Sequence, residues 1–370
     1  MKEMTSLERL RSVLNGDVPD YLPVLPQSFL FAMANGGYSI GEVNRKPAIM
    51  AKCHLECREK YGYDGCIVDV DDSTLAEACG AKVIFREDNV AVVDDRNPVL
   101  NDLREIDDLK RPDPLKDGRL PEWLETTHRI AEKIGQNAIV MGRADQGPFS
   151  LLTLLRGPQQ FMMDLIEEDE EVIRHALDWT TEVCIDFARA ELEAGANVTS
   201  MGDAYAGPNL VSPATYAQIA FEYEKRVVEH VQTDDKLYSI HICGDTNGII
   251  SQMGQTGARI LEIDWKLDMG RARKLVPQGV ALMGNVNPSD PLYLGTPERV
   301  DEAVKNVVTA TKGEGLIISS GCAIGANTPP ENFAALIKAG RKYGKRDNVL
   351  ELQNVNKHSE MVKRNFLKQF

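Results

Sequence analysis

Short apolar runs bounded by glycine, proline, asparagine or aspartate recur eight times along the chain. Runs of this length, rich in Val, Ile and Leu, predict β-strands. They lie at 22–27, 65–70, 139–144, 197–202, 237–243, 260–264, 280–285 and 316–321. Amphipathic stretches with helical periodicity separate most of them, for example 213–231, 296–311 and 330–342, and each of these three contains a proline where the helix should begin.

The alternation of strand and helix predicts an α/β fold with a parallel sheet, and eight units are the number that closes a (β/α)8 TIM barrel. A two-domain alternative would need a linker, and the chain has no long stretch rich in Pro, Gly or Ser. Residues 81–95 alternate as a β-hairpin does, which predicts a hairpin insertion after the second strand. We therefore expect one barrel domain over residues 1–344 and a short C-terminal extension over 345–370.

Composition excludes several classes of partner. The 370 residues carry a net charge of -14, which disfavours binding to nucleic acid or to anionic lipid. No apolar run approaches the roughly 20 residues of a membrane span, and the N-terminus lacks the apolar core of a secretory signal. We expect a soluble, cytoplasmic protein whose seven irregularly spaced cysteines are mostly reduced thiols.

Polar residues follow seven of the eight predicted strands, at the end where barrels build their active sites. They are Asp69, Asp71, Arg143, Asp145, Asp203, His241, Cys243, Glu262, Asp264, Asn285 and Cys322. A polar turn explains any one of these residues equally well, so only the set indicates a site. From it we select Asp203 and Asp71 as candidate catalytic carboxylates, and Asn285 and Asp145 as candidate cofactor-binding residues.

The most specific pattern is His241-Ile242-Cys243 at the end of the fifth predicted strand. Residues two apart on a strand face the same side, so the imidazole and the thiol converge, and barrel closure would bring Cys322 to the same opening. Two sulfurs and one imidazole suit zinc and leave a fourth position open for a substrate. For the pair alone, the alternative is a buried histidine beside a buried thiol.

A second group, Cys53, His54 and Cys57, lies in an amphipathic stretch before the second predicted strand. Its cysteines have the i, i+4 spacing of one helix face. On the outer layer of a barrel, such a face packs against its neighbours, so we expect packing rather than metal binding here.

Three segments carry a family resemblance: 241–264, 284–300 and 319–344. They resemble the uroporphyrinogen decarboxylase superfamily and, within it, the zinc- and corrinoid-dependent methyltransferases, and the likeness extends from about Arg9 to Gly344. The resemblance implies that His241, Cys243 and Cys322 bind zinc and that the enzyme transfers a methyl group. It also implies a separate corrinoid protein as the carrier of the cobamide, because the chain lacks a D-x-H-x-x-G corrinoid motif.

The decarboxylase branch of this superfamily has an arginine-containing segment near its first strand, whereas residues 23–39 here contain no arginine to pair with substrate carboxylates. The expected activity is therefore zinc-dependent transfer of a methyl group between a small methylated substrate, or a thiol, and the cobalt of the corrinoid protein. Two alternatives stay open. One is a metal-free decarboxylase that uses Asp203 or Asp71, and the other is a non-catalytic binding protein whose mouth is stiffened by zinc.

Overall fold

The computed structural model describes residues 3–354 and is built around a sheet of seven parallel strands. In sheet order these are β1 (Gly65–Val68), β4 (Ile139–Gln146), β5 (Val198–Gly202), β6 (Leu237–Ile242), β7 (Ile260–Ile263), β8 (Ala281–Val286) and β9 (Leu316–Ser320). Every residue of these strands is buried, as expected for a parallel sheet covered on both faces. Two further strands, β2 (Val83–Ile84) and β3 (Val92–Val93), pair antiparallel after β1.

Helices cover the outside of the sheet and connect its strands. They are α1 (Ser6–Leu14), α2 (Phe29–Asn35), α3 (Ile40–Val43), α4 (Pro47–Tyr61), α5 (Thr74–Ala78), α6 (Leu120–Ile134), α7 (Pro148–Arg156), α8 (Pro158–Glu167), α9 (Glu170–Glu193), α10 (Pro213–Thr215), α11 (Phe221–Val231), α12 (Ile250–Met253), α13 (Met269–Leu275), α14 (Pro297–Thr311) and α15 (Pro330–Tyr343). Short 3-10 turns occupy Leu103–Asp108 and Ala204–Ala206, and wider π-type turns occupy Tyr216–Ala220 and Pro288–Tyr293.

In the predicted C-terminal extension, Lys345 forms a bridge with Tyr21, and residues 346–354 are helical. The rest of that extension, 355–370, lies outside the described residues. Among residues 3–354, no helix combines the length and the apolar character needed to cross a lipid bilayer.

The first predicted strand, 22–27, is not a full strand. Val24 forms a single parallel bridge with Ile318 of β9, and the amide of Asp64, at the start of β1, donates to the Val24 carbonyl at 2.8 Å. Pro23 and Pro26 have no N–H group, so a continuous ladder cannot form here. The segment still lies between β9 and β1, the two edge strands, and the result is a curled, barrel-like α/β fold with seven strands and one bridging segment.

A fully buried carboxylate, that of Asp64, anchors this closing segment at the N-terminal end of the sheet. One of its oxygens accepts from the Ser6 hydroxyl at 2.8 Å and from Arg9 at 3.1 Å. The other accepts from the Val24 amide at 2.8 Å and lies 3.0 Å from a guanidinium nitrogen of Arg341. Asp64 therefore joins α1, the closing segment and α15.

We expect Asp64→Asn to lower the free energy of unfolding by about 3 kcal/mol, because Arg9 and Arg341 lose a fully buried carboxylate, while Arg9 keeps its pair with Asp20. The measurement is equilibrium denaturation in urea. The matched control is Glu170→Gln, which breaks an exposed pair with Arg174 and should cost less than about 1 kcal/mol. Equal costs for the two variants would contradict the anchoring role.

Candidate metal centre

A cavity of about 990 Å³ opens at the C-terminal ends of the parallel strands. This volume is at the upper end of the range for small-molecule sites. Residues of the insertion after β1, including Ile84 and 90–97, form part of its wall. Its polar side chains include Gln27, Asp69, Asp71, Asp72, Arg143, Gln146, Tyr205, His241, Cys243 and Cys322.

The structure brings the three predicted metal ligands together in this cavity. His241 Nε2 lies 3.1 Å from the sulfur of Cys243, and the Cys243 and Cys322 sulfurs are 4.0 Å apart. All three ligand atoms lie within 4.8 Å of one another, and no other group of three or more His, Cys, Asp and Glu residues in the described part of the chain meets that spacing. Ile242, between the first two, is fully buried.

The donor set and its orientation fit zinc. The carbonyl of Glu262 accepts from His241 Nδ1 at 3.2 Å, and because a carbonyl only accepts, Nδ1 carries a proton and Nε2 is the nitrogen available to a metal. Two sulfurs and one imidazole nitrogen are common ligands of tetrahedral zinc. Gly244 turns the chain away directly after Cys243 with φ +93°, and a Cβ there would meet the Asn209 side chain at 2.1 Å.

Without a metal, His241, Cys243 and Cys322 shift one another's pKa values. The pKa of the Cys322 thiol is lowered, because Cys243 and His241 form hydrogen bonds with its sulfur. The hydrogen bond to Cys322 and burial raise the pKa of Cys243. Burial disfavours the His241 imidazolium, but the hydrogen bond and charge of Cys322 outweigh it and raise the pKa of His241. The site therefore already stabilises one thiolate.

A buried ion-pair chain lies beside the triad. Arg143 Nε is 2.7 Å from an oxygen of Asp69, and another of its nitrogens donates to Glu262 at 2.7 Å. The Ser239 hydroxyl donates to the second oxygen of Glu262 at 3.0 Å. Burial outweighs the attraction of Arg143 and raises the pKa of Asp69 to about 7.

The two candidate catalytic carboxylates are both held by other protein groups. Asp203 is fully buried, does not line the cavity, and accepts from the Ser150 amide at 2.7 Å in the first turn of α7. Burial raises its pKa to about 6. Asp71 lines the cavity, but both of its oxygens accept from Arg119, at 2.5 and 3.0 Å, and one also accepts from Ser73. Both carboxylates therefore have protein partners, and of the two only Asp71 reaches the cavity.

The structure does not bring the two candidate cofactor-binding residues to the cavity. The Asn285 amide donates to the carbonyls of Asp264 at 3.0 Å and Leu267 at 2.7 Å, so it holds the loop after β7. Asp145 accepts from the Leu75 amide at 2.5 Å and thereby holds α5.

Asp72, Gln146 and Gln27 are among the polar residues of the cavity that sequence reasoning missed. Asp72 and Gln146 lie one residue beyond positions that had been selected, and the Gln146 amide donates to Asp72 at 3.1 Å. Burial and the neighbouring Asp71 raise the pKa of Asp72. Gln27 ends the closing segment, which was the one predicted strand with no polar residue selected at its end. That gap in the pattern was the available signal.

The second cysteine group packs, as expected. Cys53, His54 and Cys57 are buried in α4, and they do not form a metal-sized cluster in the described structure. Both ring nitrogens of His54 are buried without a hydrogen-bond partner among the described residues. Burial lowers the pKa of His54 to about 4.

Comparison with known proteins places this architecture in a family. The family model described as uroporphyrinogen decarboxylase (URO-D) matches residues 5–343. The chain belongs to the uroporphyrinogen decarboxylase family. Members of this family with different activities are similar to it, so the family alone does not fix the reaction.

The methylcobamide:CoM methyltransferase MtaA of Methanosarcina barkeri is 29% identical over 348 residues, which are 93% of this chain and 99% of that protein. A uroporphyrinogen decarboxylase of Prochlorococcus marinus (strain NATL1A) is 30% identical over 330 residues, which are 86% and 88% of the two chains. Among solved structures, a methyltransferase from Methanosarcina mazei superposes with a TM-score of 0.84 at 26% identity, covering 92% of this chain and 99% of that one. This family member thus has both methyltransferases and decarboxylases among its relatives.

We expect His241→Ala, Cys243→Ala and Cys322→Ala each to reduce bound zinc from about one ion per chain to a small fraction, because a two-ligand site binds zinc weakly. Elemental analysis after dialysis against zinc measures this. Cys66→Ala is the control, since Cys66 is a buried thiol that contacts the His54 carbonyl. Full zinc occupancy in all three variants would rule out the site.

The buried His54 makes a separate prediction about pH. Its pKa is about 4 in the folded chain and about 6.5 in the unfolded chain, so protons favour unfolding. The contribution of His54 to the free energy of unfolding should be fully present above pH 6.5 and should fall by about 3 kcal/mol as the pH drops to 4. The variant His54→Leu should not show this decrease. Urea denaturation at several pH values measures it. The control is the exposed His128, whose replacement by leucine should leave the profile unchanged.

Proposed function

We propose that this member of the uroporphyrinogen decarboxylase family is a zinc-dependent methyltransferase. It would move a methyl group between a small methylated substrate, or a thiol, and the cobalt of a separate corrinoid protein. The observation that carries the proposal is the convergence of His241, Cys243 and Cys322 within 4.8 Å in a large cavity. The alignment with methylcobamide:CoM methyltransferases over 93% of the chain supports it.

Methyl transfer is substitution at carbon, and it is slow when the nucleophile is weak or the leaving group poor. A zinc ion held by His241 Nε2 and the two sulfurs would lower the pKa of a thiol or polarise the oxygen of a methyl ether. The protein's own part is to fix the ligands: the Glu262 carbonyl sets the imidazole orientation, and the strand ends hold the sulfurs. Two thiolate ligands reduce the charge on the ion, which favours a thiol as the group that is activated.

Exposed apolar side chains lie on loops at the end of the sheet where the cavity opens. Leu210, Trp265 and Leu294 are exposed by 54%, 42% and 71%, and they lie on loops that follow β5, β7 and β8. Loops after parallel strands lie at the same end of the sheet, so these apolar side chains share the face on which the cavity opens. A partner protein that docks over the mouth of the cavity would cover these three side chains. A corrinoid protein docked there could present its cobalt to the cavity.

The charge of the cavity disfavours the decarboxylase alternative. Five aspartates and three arginines line it, and one of those arginines, Arg143, is already paired with Asp69 and Glu262. A porphyrinogen carries several carboxylates, which this lining would repel. Residues 23–39 also supply no arginine. Among residues 23–39, only Gln27, Phe29 and Leu30 line the cavity.

The test has two mixtures: zinc-loaded protein with Co(I) cobalamin and a panel of methyl ethers and methylamines, and zinc-loaded protein with methylcobalamin and a panel of thiols. The cobalt spectrum is followed in both. We expect conversion of Co(I) to methylcobalamin in the first mixture, or conversion of methylcobalamin and a thiol to Co(I) and a methyl thioether in the second. Loss of the Lewis acid removes several kcal/mol of transition-state stabilisation, so Cys243→Ala should be slower by at least about 100-fold. Cys66→Ala should match the wild type.

Decarboxylation that survives chelation and substitution of all three ligands would favour the metal-free decarboxylase. Zinc binding with no methyl transfer to or from cobalamin across the panel would favour the non-catalytic binding protein.

A further inference from the structure

A chain of buried contacts crosses the interior of the sheet beside the triad. Arg143 is on β4 and Glu262 is on β7, and these strands are separated in the sheet by β5 and β6. Their side chains nevertheless meet at 2.7 Å, because the sheet curls and both point inward. Ser239 and Asp69 extend the chain at its two ends. The chain therefore spans the inside of the barrel-like sheet.

We propose that Arg143 is a positioning residue of the metal centre, which holds Glu262 and through it the main-chain carbonyl that orients His241. The inference rests on the proposed function in that the triad must bind zinc. It concerns a residue that is not itself a ligand.

The first step of the argument is the contact between His241 and Glu262. The carbonyl of Glu262 accepts from His241 Nδ1 at 3.2 Å, so its position sets the plane and the tautomer of the imidazole. Metal–ligand distances tolerate deviations of only about 0.2 Å, so a small shift of that carbonyl misplaces Nε2. Outer contacts of this kind typically change metal affinity by about 10–100-fold.

The second step is that the side chain of Glu262 has no freedom of its own. It is fully buried, with one oxygen held by Arg143 and the other by Ser239. Arg143 is in turn held by Asp69, and its side chain is 5% exposed. The planar guanidinium can contact two carboxylates through different nitrogens, whereas a lysine offers a single nitrogen. The arrangement thus requires arginine and not merely a positive charge.

Two simpler roles for Arg143 make different predictions. If only the charge of Arg143 mattered, a lysine at this position would serve equally well. A nearby positive charge also matters little for zinc binding, because the two thiols release protons when they bind the ion and the net charge of the site changes little. If Arg143 only stabilised the fold, any buried arginine in an ion pair would behave in the same way. Arg9 provides that comparison, because it is 5% exposed, pairs with Asp20 and Asp64, and lies at the opposite end of the sheet.

The experiment measures zinc affinity by competition with a chelating dye in Arg143→Lys, Arg9→Lys and wild-type protein, with thermal unfolding of each. Spectra of the Co²⁺-substituted proteins report ligand geometry. We expect Arg143→Lys to bind zinc about 10–100-fold more weakly with altered ligand-field bands, while thiolate-to-cobalt charge transfer remains. Arg9→Lys should match wild-type affinity.

Affinity of Arg143→Lys within about twofold of wild type, or an equal loss in Arg9→Lys, overturns the inference. A wild-type protein that binds no zinc at all would instead overturn the proposed function, so the two failures are distinguishable.

A milder pair of variants covers the case in which Arg143→Lys does not fold. Ser239→Ala removes only the hydroxyl that holds Glu262. Ser200→Ala removes a buried hydroxyl on the neighbouring strand, in register with Ser239, that has no hydrogen-bond partner among the described residues. Weaker zinc binding in Ser239→Ala than in Ser200→Ala supports the inference, and equal affinities contradict it.

Discussion

The curvature of the parallel sheet is the constraint on which the candidate site depends. Cys243 follows β6 and Cys322 follows β9, and these strands are three positions apart in the sheet. In a flat sheet, strands three positions apart would be separated by about 14 Å. The observed sulfur–sulfur distance is 4.0 Å, so only a curled sheet with inward-facing strand ends can assemble the triad. The bridge from Val24 to Ile318, together with the hydrogen bond from Asp64 to Val24, maintains that curl.

The region around the site contains several buried charges, which are costly to fold unless each has a partner. Arg143 lies between Asp69 and Glu262, and Arg119 lies between Asp71 and Glu77. Each arginine thus links segments that are distant from it in the sequence. The polar interior thus sets the positions of the cavity's walls, while the apolar contacts between sheet and helices supply most of the stability.

Seven strands and the convergence of His241 and Cys243 were predictable from sequence because each depends on a local rule, whereas the approach of Cys322 could be expected only from closure of the barrel. Apolar runs identify buried strands, and the spacing of two between His241 and Cys243 places both on one face. The closing segment was predicted as a full strand because its apolar character was weighed above the missing N–H groups of Pro23 and Pro26. The side-chain orientations of Asp203, Asp145 and Asn285 could not be predicted, because each depends on the distant amide or carbonyl with which the side chain forms a hydrogen bond. Asp72 was missed for the same reason.

The central claim is that one imidazole and two sulfurs bind the same zinc ion. X-ray absorption at the zinc edge of the loaded protein tests it most directly. The account predicts two sulfur neighbours at about 2.3 Å, with the remaining neighbours being nitrogen or oxygen at about 2.0–2.2 Å. A first shell with no sulfur, or with four sulfurs, would contradict it.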